Sequence, residues 1–387
     1  MAASRATAVV AHGGGPTSVL NASLAGLVDE CRRQSVISAL YGARFGAHGL
    51  AGEDLIDLTQ CGPDTVDAIR VAPGSVIGSS RRNMEPEDYE RILDALKRRD
   101  VRYFFYAGGN GSMDTAMRID QFARRAGYEL HVIGIPKTID NDLMETDRTP
   151  GYASCGRFFA HAARDLGADN RALPPPIEVL EVLGRNVGWV AAATALARHR
   201  EDDPPHLIYF PECGVSLDQI CTHVERVYRR FGRCMAAVCE GQRDDRGAWF
   251  GADSISVPGA RDQLPANMGH VLAKLIWSRT GLRTRAEKPG LVGRSCAALV
   301  SEVDRADSWN CGVAAVRAAV EGQSGVMVAL PPLDKAAPPF GVPLEKVARK
   351  ERQFPREWIS PEGNDVTQGF VNWARPLIGE VEPHVRL

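Results

Sequence analysis

A doubly wound, mostly parallel α/β fold is what this sequence predicts, and three observations predict it. Short apolar runs alternate with helix-like patterns along most of the 387 residues, the signature of consecutive strand–helix–strand units. Runs such as VRYFFYA at 101–107 and LHVIGI at 130–135 are apolar but for Arg102 and His131 near their starts, as strands covered on both faces should be. Glycine is abundant, with 38 residues against an average usage of roughly 7%, and it clusters where those strands end.

Taken in order, Thr7–Ala11 is a strand that runs into Gly13-Gly14-Gly15, and a helix follows through Leu20–Cys31. Val36–Leu40 is strand-like. Glu85–Arg99 is an amphipathic helix, because Tyr89, Ile92, Leu93 and Leu96 recur at helical spacing. Val101–Ala107 is a buried strand, Ser112–Ala126 a helix and Leu130–Ile135 another buried strand. Ile177–Leu183 is a strand, Trp189–Arg198 an alanine-rich helix and His206–Phe210 a strand. Leu217–Phe231 is a helix, Cys234–Cys239 a strand and Asn267–Arg279 a helix. Ala306–Val320 is a helix and Val326–Leu330 a strand. The proline-rich stretches 173–176 and 330–339 read as connections. They divide the chain into an N-terminal α/β lobe at 1–175, a second α/β lobe at 176–335, and a segment at 336–387 that folds back on the body.

Composition excludes several classes. Lysine plus arginine is 46 and aspartate plus glutamate is 48, a formal net charge of −2, which argues against a nucleic-acid partner. No apolar run reaches the ~20 residues of a membrane span, and Met1–Arg5 leads into a strand with no signal-peptide core. Nine cysteines, an odd count with no Cys-x-x-Cys pair, read as reduced cytoplasmic thiols.

In open α/β sheets, ligands sit beyond the carboxyl ends of strands. The first strand is followed by Gly13-Gly14-Gly15-Pro16-Thr17 and a helix start, a candidate anion cradle. After VRYFFYA comes a second one, Gly108-Gly109-Asn110-Gly111-Ser112. After LHVIGI, Pro136-Lys137-Thr138-Ile139-Asp140-Asn141-Asp142 places a lysine, a hydroxyl and two carboxylates at one strand end. Any one of these is explained by a tight turn or an Asx cap. Three on neighbouring strands point to phosphoryl chemistry. Arginines at similar turns (Arg81 and Arg82 after Gly78-Ser79-Ser80, Arg185 after Leu183-Gly184, and Arg285 and Arg294 around Lys288-Pro289-Gly290) suit planar phosphate recognition.

At these residues the chain resembles the phosphofructokinase family. The likeness covers GGGPTSVLNASL, IGSSR, GGNGSMDTA, PKTIDNDL with TDRTPGY, EVLGRNVGW, YFPE, Cys239-Glu240-Gly241 and a terminal GFVNWARPLIGE. SMDTA, GRNVGW and the terminal PLIG look more like its pyrophosphate-dependent branch. The resemblance implies two Rossmann-like lobes with the active site between them. It implies Mg2+-dependent transfer from ATP or pyrophosphate to the 1-hydroxyl of fructose 6-phosphate or a related ketose phosphate, by a cytoplasmic homodimer or homotetramer.

Carried over by position, Asp140 is the general base, and Thr138 and Asp142 bind the acceptor or orient the transferring group. Arg185 with Gly184 contacts the sugar and the transferring phosphate, and Glu240 binds a sugar hydroxyl. Gly14, Arg81, Gly109, Gly111, Ser112 and Lys137 form the donor side, and Asn110 with Asp142 the metal side. Arg285 and Arg294 hold the acceptor's own phosphate.

Four positions depart from or complicate the pattern. Asn110 replaces the family's metal carboxylate. Gly111 with Lys137 is the mixed donor pair, glycine leaving room for a nucleotide while lysine suits pyrophosphate, and it favours ATP here. Pro176 stands where many relatives have a phosphate-binding arginine. Leu291 stands where a histidine or tyrosine is usual, and is expected to wall the acceptor pocket. The alternatives are a kinase for a different sugar phosphate and a non-catalytic regulatory subunit. A dinucleotide dehydrogenase is disfavoured, because the first glycine loop is not G-x-G-x-x-G.

Overall fold

A computed structural model of the chain describes residues 6–82, 84–173, 177–250 and 267–386; Pro176 lies outside them. The described residues contain eleven strands in two sheets: β1 (Ala6–His12), β2 (Ile37–Ala43), β3 (Leu55–Asp57), β4 (Val101–Gly108), β5 (His131–Pro136), β6 (Ile177–Val182), β7 (Leu207–Tyr209), β8 (Cys234–Cys239), β9 (Thr284–Glu287), β10 (Val326–Ala329) and β11 (Phe340–Pro343). The first sheet has the order β11-β10-β5-β4-β1-β2-β3 and the second β7-β8-β6-β9. The second is parallel throughout. The first is parallel through its centre, with β3 and β11 antiparallel at its edges.

The chain divides into two compact units, Met1–Tyr152 with Arg294–Arg352, and Ala153–Gly293 with Gln353–Leu387. It therefore changes unit three times, at 152/153, 293/294 and 352/353. That differs from the division at 175 and 335. The segment from Arg294 rejoins the first unit because β10 adds to β5 there and β11 adds to β10. The helix Glu302–Val320 also packs closely on Leu20–Arg33. A Cβ on Gly26 would strike the Trp309 carbonyl and one on Gly312 that of Ser23, while the Ser23 and Ser308 hydroxyls bond at 2.7 Å.

Strand β1 shows why continuous apolar runs were needed. Ala8 and Val10 pack into one core of the first unit, and Val9 and Ala11 into the other across the sheet. The second unit has its own core, around Ile177, Tyr209, Val238 and Leu272. Behind it, Trp189, Phe354, Trp358, Phe370 and Trp373 form an aromatic cluster with centroids 5.1–6.1 Å apart. This cluster ties residues 354–373 to Trp189. The alanine-rich stretch after Gly188 is one α-helical turn, Trp189–Ala193, that tightens into a 3-10 turn, Thr194–Ala197. The Thr194 hydroxyl donates to the Ala191 carbonyl at 2.6 Å, which favours the tighter winding. Among the described residues no helix is long and apolar enough to cross a membrane.

Candidate active site

In the first sheet the chain lays β2 and β3 on one side of β1, then β4, β5 and β10 on the other. The strand order thus reverses at β1/β4, where open α/β sheets form their ligand crevice. The three loops singled out by sequence follow β1, β4 and β5, adjacent parallel strands, so they emerge at one edge. Backbone hydrogen bonds lace them together: Gly13 N–H to the Ala107 carbonyl at 2.8 Å, Gly14 N–H to Ser80 at 2.9 Å, and Lys137 N–H to Gly108 at 3.1 Å. The Ser79 hydroxyl donates to the Gly14 carbonyl at 2.7 Å.

Gly14 holds φ +78°, where a side chain would be strained, and a Cβ there would stand 3.2 Å from Lys137 Nζ. Lys137 is buried and donates to the carbonyls of Gly13 and Gly15, both at 2.7 Å. Its ammonium therefore shapes the first loop from inside. At Gly15 a Cβ would meet guanidinium nitrogens of both Arg294 and Arg81. Burial, then Arg294 and Arg81, push the Lys137 ammonium down to about 7, against the pull of Asp140 and Asp142. Three cations held near one glycine turn are what a polyanionic ligand requires. Their neighbour His12 is pushed down to about 3 by burial and by Lys137, so it is neutral; its Nδ1 meets the Ser75 hydroxyl at 2.8 Å.

Gly109 starts the helix Asn110–Arg125. Ser112, buried in its first turn, stands over Gly13 and Gly108, where any Cβ would collide with its hydroxyl. A Cβ on Gly111 would meet nothing within 4 Å. The Asn110 amide donates to the Asp142 carboxylate at 2.7 Å, tying the second loop to the third, and Asn110 Oδ1 is buried with no hydrogen-bond partner among the described residues. Asp140 is half-buried, and its backbone N–H donates to the Thr138 hydroxyl at 3.1 Å. Among the described residues no three His, Cys, Asp or Glu side chains group to hold a metal ion.

Sequence reasoning missed how the third loop is held. Arg352 donates to the carbonyls of Asn141, Thr146 and Asp147, and its own N–H to that of Asp142 at 2.7 Å. Thr149 donates to the Thr138 carbonyl at 2.9 Å. One of three arginines in a charged stretch, about 210 residues downstream of Asn141, carries no local signal of that role.

In the second unit, Gly184 and Arg185 follow β6, and Glu240 and Gly241 follow the adjacent β8, which ends at Cys239. Gly184 sits at φ +137°, and a Cβ on Gly241 would strike the Arg185 carbonyl. Arg185 itself has φ +55°. The Glu240 carboxylate accepts the Arg185 backbone N–H at 3.3 Å, so it braces the turn that carries Arg185. Glu212, of the YFPE motif, accepts the N–H groups of Gly188 at 3.0 Å and Phe354 at 2.8 Å. Burial raises its carboxyl.

Arg285 lies exposed on β9, opposite Glu178 of β6 in the parallel register. Leu291 is 62% exposed. Arg294, which the resemblance grouped with Arg285, lies at Gly15 of the first unit. Glu178 and Glu181 were a signal left unused, two carboxylates inside a strand that is otherwise apolar and buried throughout. Glu181 is bound to Lys288 at 2.7 Å and accepts the Gly269 N–H at 2.7 Å.

The family model of the phosphofructokinases matches residues 7–319. The chain belongs to the phosphofructokinase family. It is 37% identical over 384 residues to a pyrophosphate–fructose 6-phosphate 1-phosphotransferase of Rhodospirillum rubrum, covering 97% of this chain and 95% of the relative. It is 31% identical to a sulfofructose kinase of Alkalicoccus urumqiensis, covering 82% of each. The crystal structure of a pyrophosphate-dependent phosphofructokinase from Nitrosospira multiformis superimposes with a TM-score of 0.88 at 32% identity, over 100% of this chain and 94% of that one. The protein is therefore a phosphotransferase enzyme of this family, and its two α/β units are the family's architecture.

Proposed function

We propose that the enzyme transfers a phosphoryl group from ATP or pyrophosphate to the 1-hydroxyl of fructose 6-phosphate or a related ketose phosphate, in the cytoplasm, as a homodimer or homotetramer. The observation that carries this reading is the convergence of Lys137, Arg81 and Arg294 on the Gly13–Gly15 turn. The turn's shape is fixed before a donor arrives, so little reorganisation opposes binding. The charge of the transferring phosphoryl is met by cations and by the backbone N–H groups of the glycine loops.

Asp140 takes the proton of the attacking hydroxyl, and Thr138 holds the loop that carries it. Arg185, on the turn braced by Glu240, offsets charge on the equatorial oxygens. Oxygen donors for a hard cation are at hand in Asn110 Oδ1, which has no hydrogen-bond partner among the described residues, and the Asp142 carboxylate. Magnesium, when bound, neutralises charge on the phosphoryl oxygens.

ATP is the donor the first unit favours, since the space beside Gly111 is open. The likeness to pyrophosphate-dependent relatives supports pyrophosphate. An activity grid crossing both donors with fructose 6-phosphate, sedoheptulose 7-phosphate and neutral fructose tests the proposal. Magnesium-dependent transfer to a ketose phosphate is expected. No transfer in any cell of the grid would leave a regulatory paralogue or an acceptor outside the grid. A second reading, phosphorylation of an acceptor whose far end is not a phosphate, is supported by Leu291 and by the likeness to the sulfofructose kinase.

A further inference from the structure

Resting on that phosphotransferase reading, we propose that Arg352, Gln353 and Phe354 form a tether between the Asp140 loop and the Arg185 turn, with Arg352 and Glu212 as the positioning residues at its two ends.

One end lies within the first unit. Asn141, buried between Asp140 and Asp142, holds φ +54°, a left-handed conformation that persists only where its surroundings fix it. Arg352 supplies that fixing. Its Nε and Nη2 both donate to the Asn141 carbonyl, at 3.1 and 3.0 Å, while Nη1 donates to the Asp147 carbonyl at 2.8 Å and to that of Thr146. Its backbone N–H donates to the Asp142 carbonyl at 2.7 Å. A planar fork with set donor directions dictates where those carbonyls lie.

The other end lies within the second unit and repeats the arrangement. Arg185 stands at φ +55°, and three residues on, Glu212 Oε1 accepts the Gly188 N–H at 3.0 Å. The same oxygen accepts the Phe354 N–H at 2.8 Å. The Phe354 ring meets that of Trp189, the residue after Gly188, edge-on at 5.1 Å between centroids. One carboxylate oxygen therefore holds both the turn and the chain that leads to Arg352. Only Gln353 separates Arg352 from Phe354, and a single residue leaves little slack. One short run of chain thus sets two strained loops, the one carrying the base and the one carrying Arg185. A misplacement of about 1 Å from a change remote from the chemistry can cost about 10²-fold in rate, which is the reason to set the two together.

The test compares purified wild-type enzyme with Arg352→Lys, Glu212→Gln, the double variant, and a chain carrying one extra glycine after Gln353, an exposed position. Lysine keeps the charge but loses the fork, and the inserted glycine keeps both ends and adds slack. With fructose 6-phosphate and whichever donor turns over, each change should lower kcat about 10- to 100-fold. Both KM values should stay within about threefold, since ground-state binding is untouched. In the double variant the two losses should not multiply, because either substitution already frees the tether. Amide hydrogen exchange gives a readout that needs no turnover. Arg352→Lys should quicken exchange at 184–188 as well as at 139–147, and Glu212→Gln at 139–147 as well as at 184–188. The inserted glycine serves where a substitution prevents folding. Losses that multiply, exchange that quickens only beside the substituted residue, or an unchanged kcat after the insertion would overturn the tether and leave the transfer reaction standing. Variants that melt earlier but keep kcat would do the same, making both residues merely structural. A wild type that phosphorylates no ketose would bring down the phosphotransferase reading, and exchange would then decide the tether alone.

Discussion

The strand ends of the two sheets make opposite electrostatic choices. Those of the first sheet gather cations around glycine: Lys137 is buried under the carbonyls of Gly13 and Gly15, with Arg81 and Arg294 at the same turn. Those of the second sheet set carboxylates at one arginine turn: Glu240 braces Arg185 and Glu212 holds Gly188. A polyanionic donor needs positive charge that is in place beforehand. A sugar needs acceptors for hydroxyls and a rigid frame to carry them. One topology, parallel strands ending in loops, serves both ends because the charge resides in the loops and the frame does not depend on it.

The largest effect is expected at Asp140, the carboxylate whose charge acts on Lys137. Asp140→Ala should lower kcat by 10²–10⁴-fold, the usual share of a general base, with donor binding by calorimetry nearly unchanged. Retention of more than about a tenth of wild-type kcat would remove the base assignment.

Lys137→Met should raise the donor KM by about 10- to 100-fold, the worth of a buried charge-assisted contact. The wild type adds a pH signature. With the ammonium held down to about 7, it is protonated and able to bind phosphate below that pH, and neutral above it in the donor-free enzyme. Donor affinity should therefore decline as pH rises through 7, and the methionine variant should show no such decline. A flat wild-type profile would mean that Lys137 keeps its charge throughout.

Arg294 sharpens the contrast, because its place at Gly15 favours the donor over the acceptor. Arg294→Ala should raise the donor KM about tenfold and the acceptor KM by less. The reverse order would return this arginine to the acceptor's phosphate, the role that the family resemblance implies. At Gly111 the expected change is selective. Aspartate there should weaken ATP use severalfold, by filling the open space and repelling phosphate, and should disturb pyrophosphate less. Equal losses with both donors would mean that the space is not the nucleotide's.

The smallest effect belongs to stability in the second unit. The folded protein holds a proton on Glu178 up to about pH 7, whereas an ordinary glutamate gives it up near 4.5. The native state thus binds more protons across that window, and stability falls as pH rises through it. Glu178→Gln should melt a few degrees above wild type at pH 8 and at nearly the same temperature at pH 4.5. A variant no more stable at pH 8 would show that the ionised carboxylate is well solvated.

Local information explains what could be read directly. The helix Leu217–Phe231 was legible to the residue, because Ser216 and Gln219 form a capping box at its start and Gly232 ends it in the left-handed conformation. The long helix Tyr152–Ala172 was not: Gly156 and Gly167 interrupt it, and its apolar residues follow no single stripe. Arg352 was illegible for a different reason, since the carbonyls it gathers are brought to it only by folding.

By itself the sequence determined the strands β1, β4 and β5, their covered faces, and the three loops that follow them. Continuous apolar runs and the glycines that end them act over a few residues, so they carry their meaning locally. Tertiary structure alone decided that Arg294 joins Lys137 and Arg81 at one turn, that Glu178 stands opposite Arg285, and that residues 294–352 rejoin the first unit. Each of those outcomes rests on sheet order and packing between distant segments, and the electrostatic energy of a charge depends on neighbours that only the fold supplies.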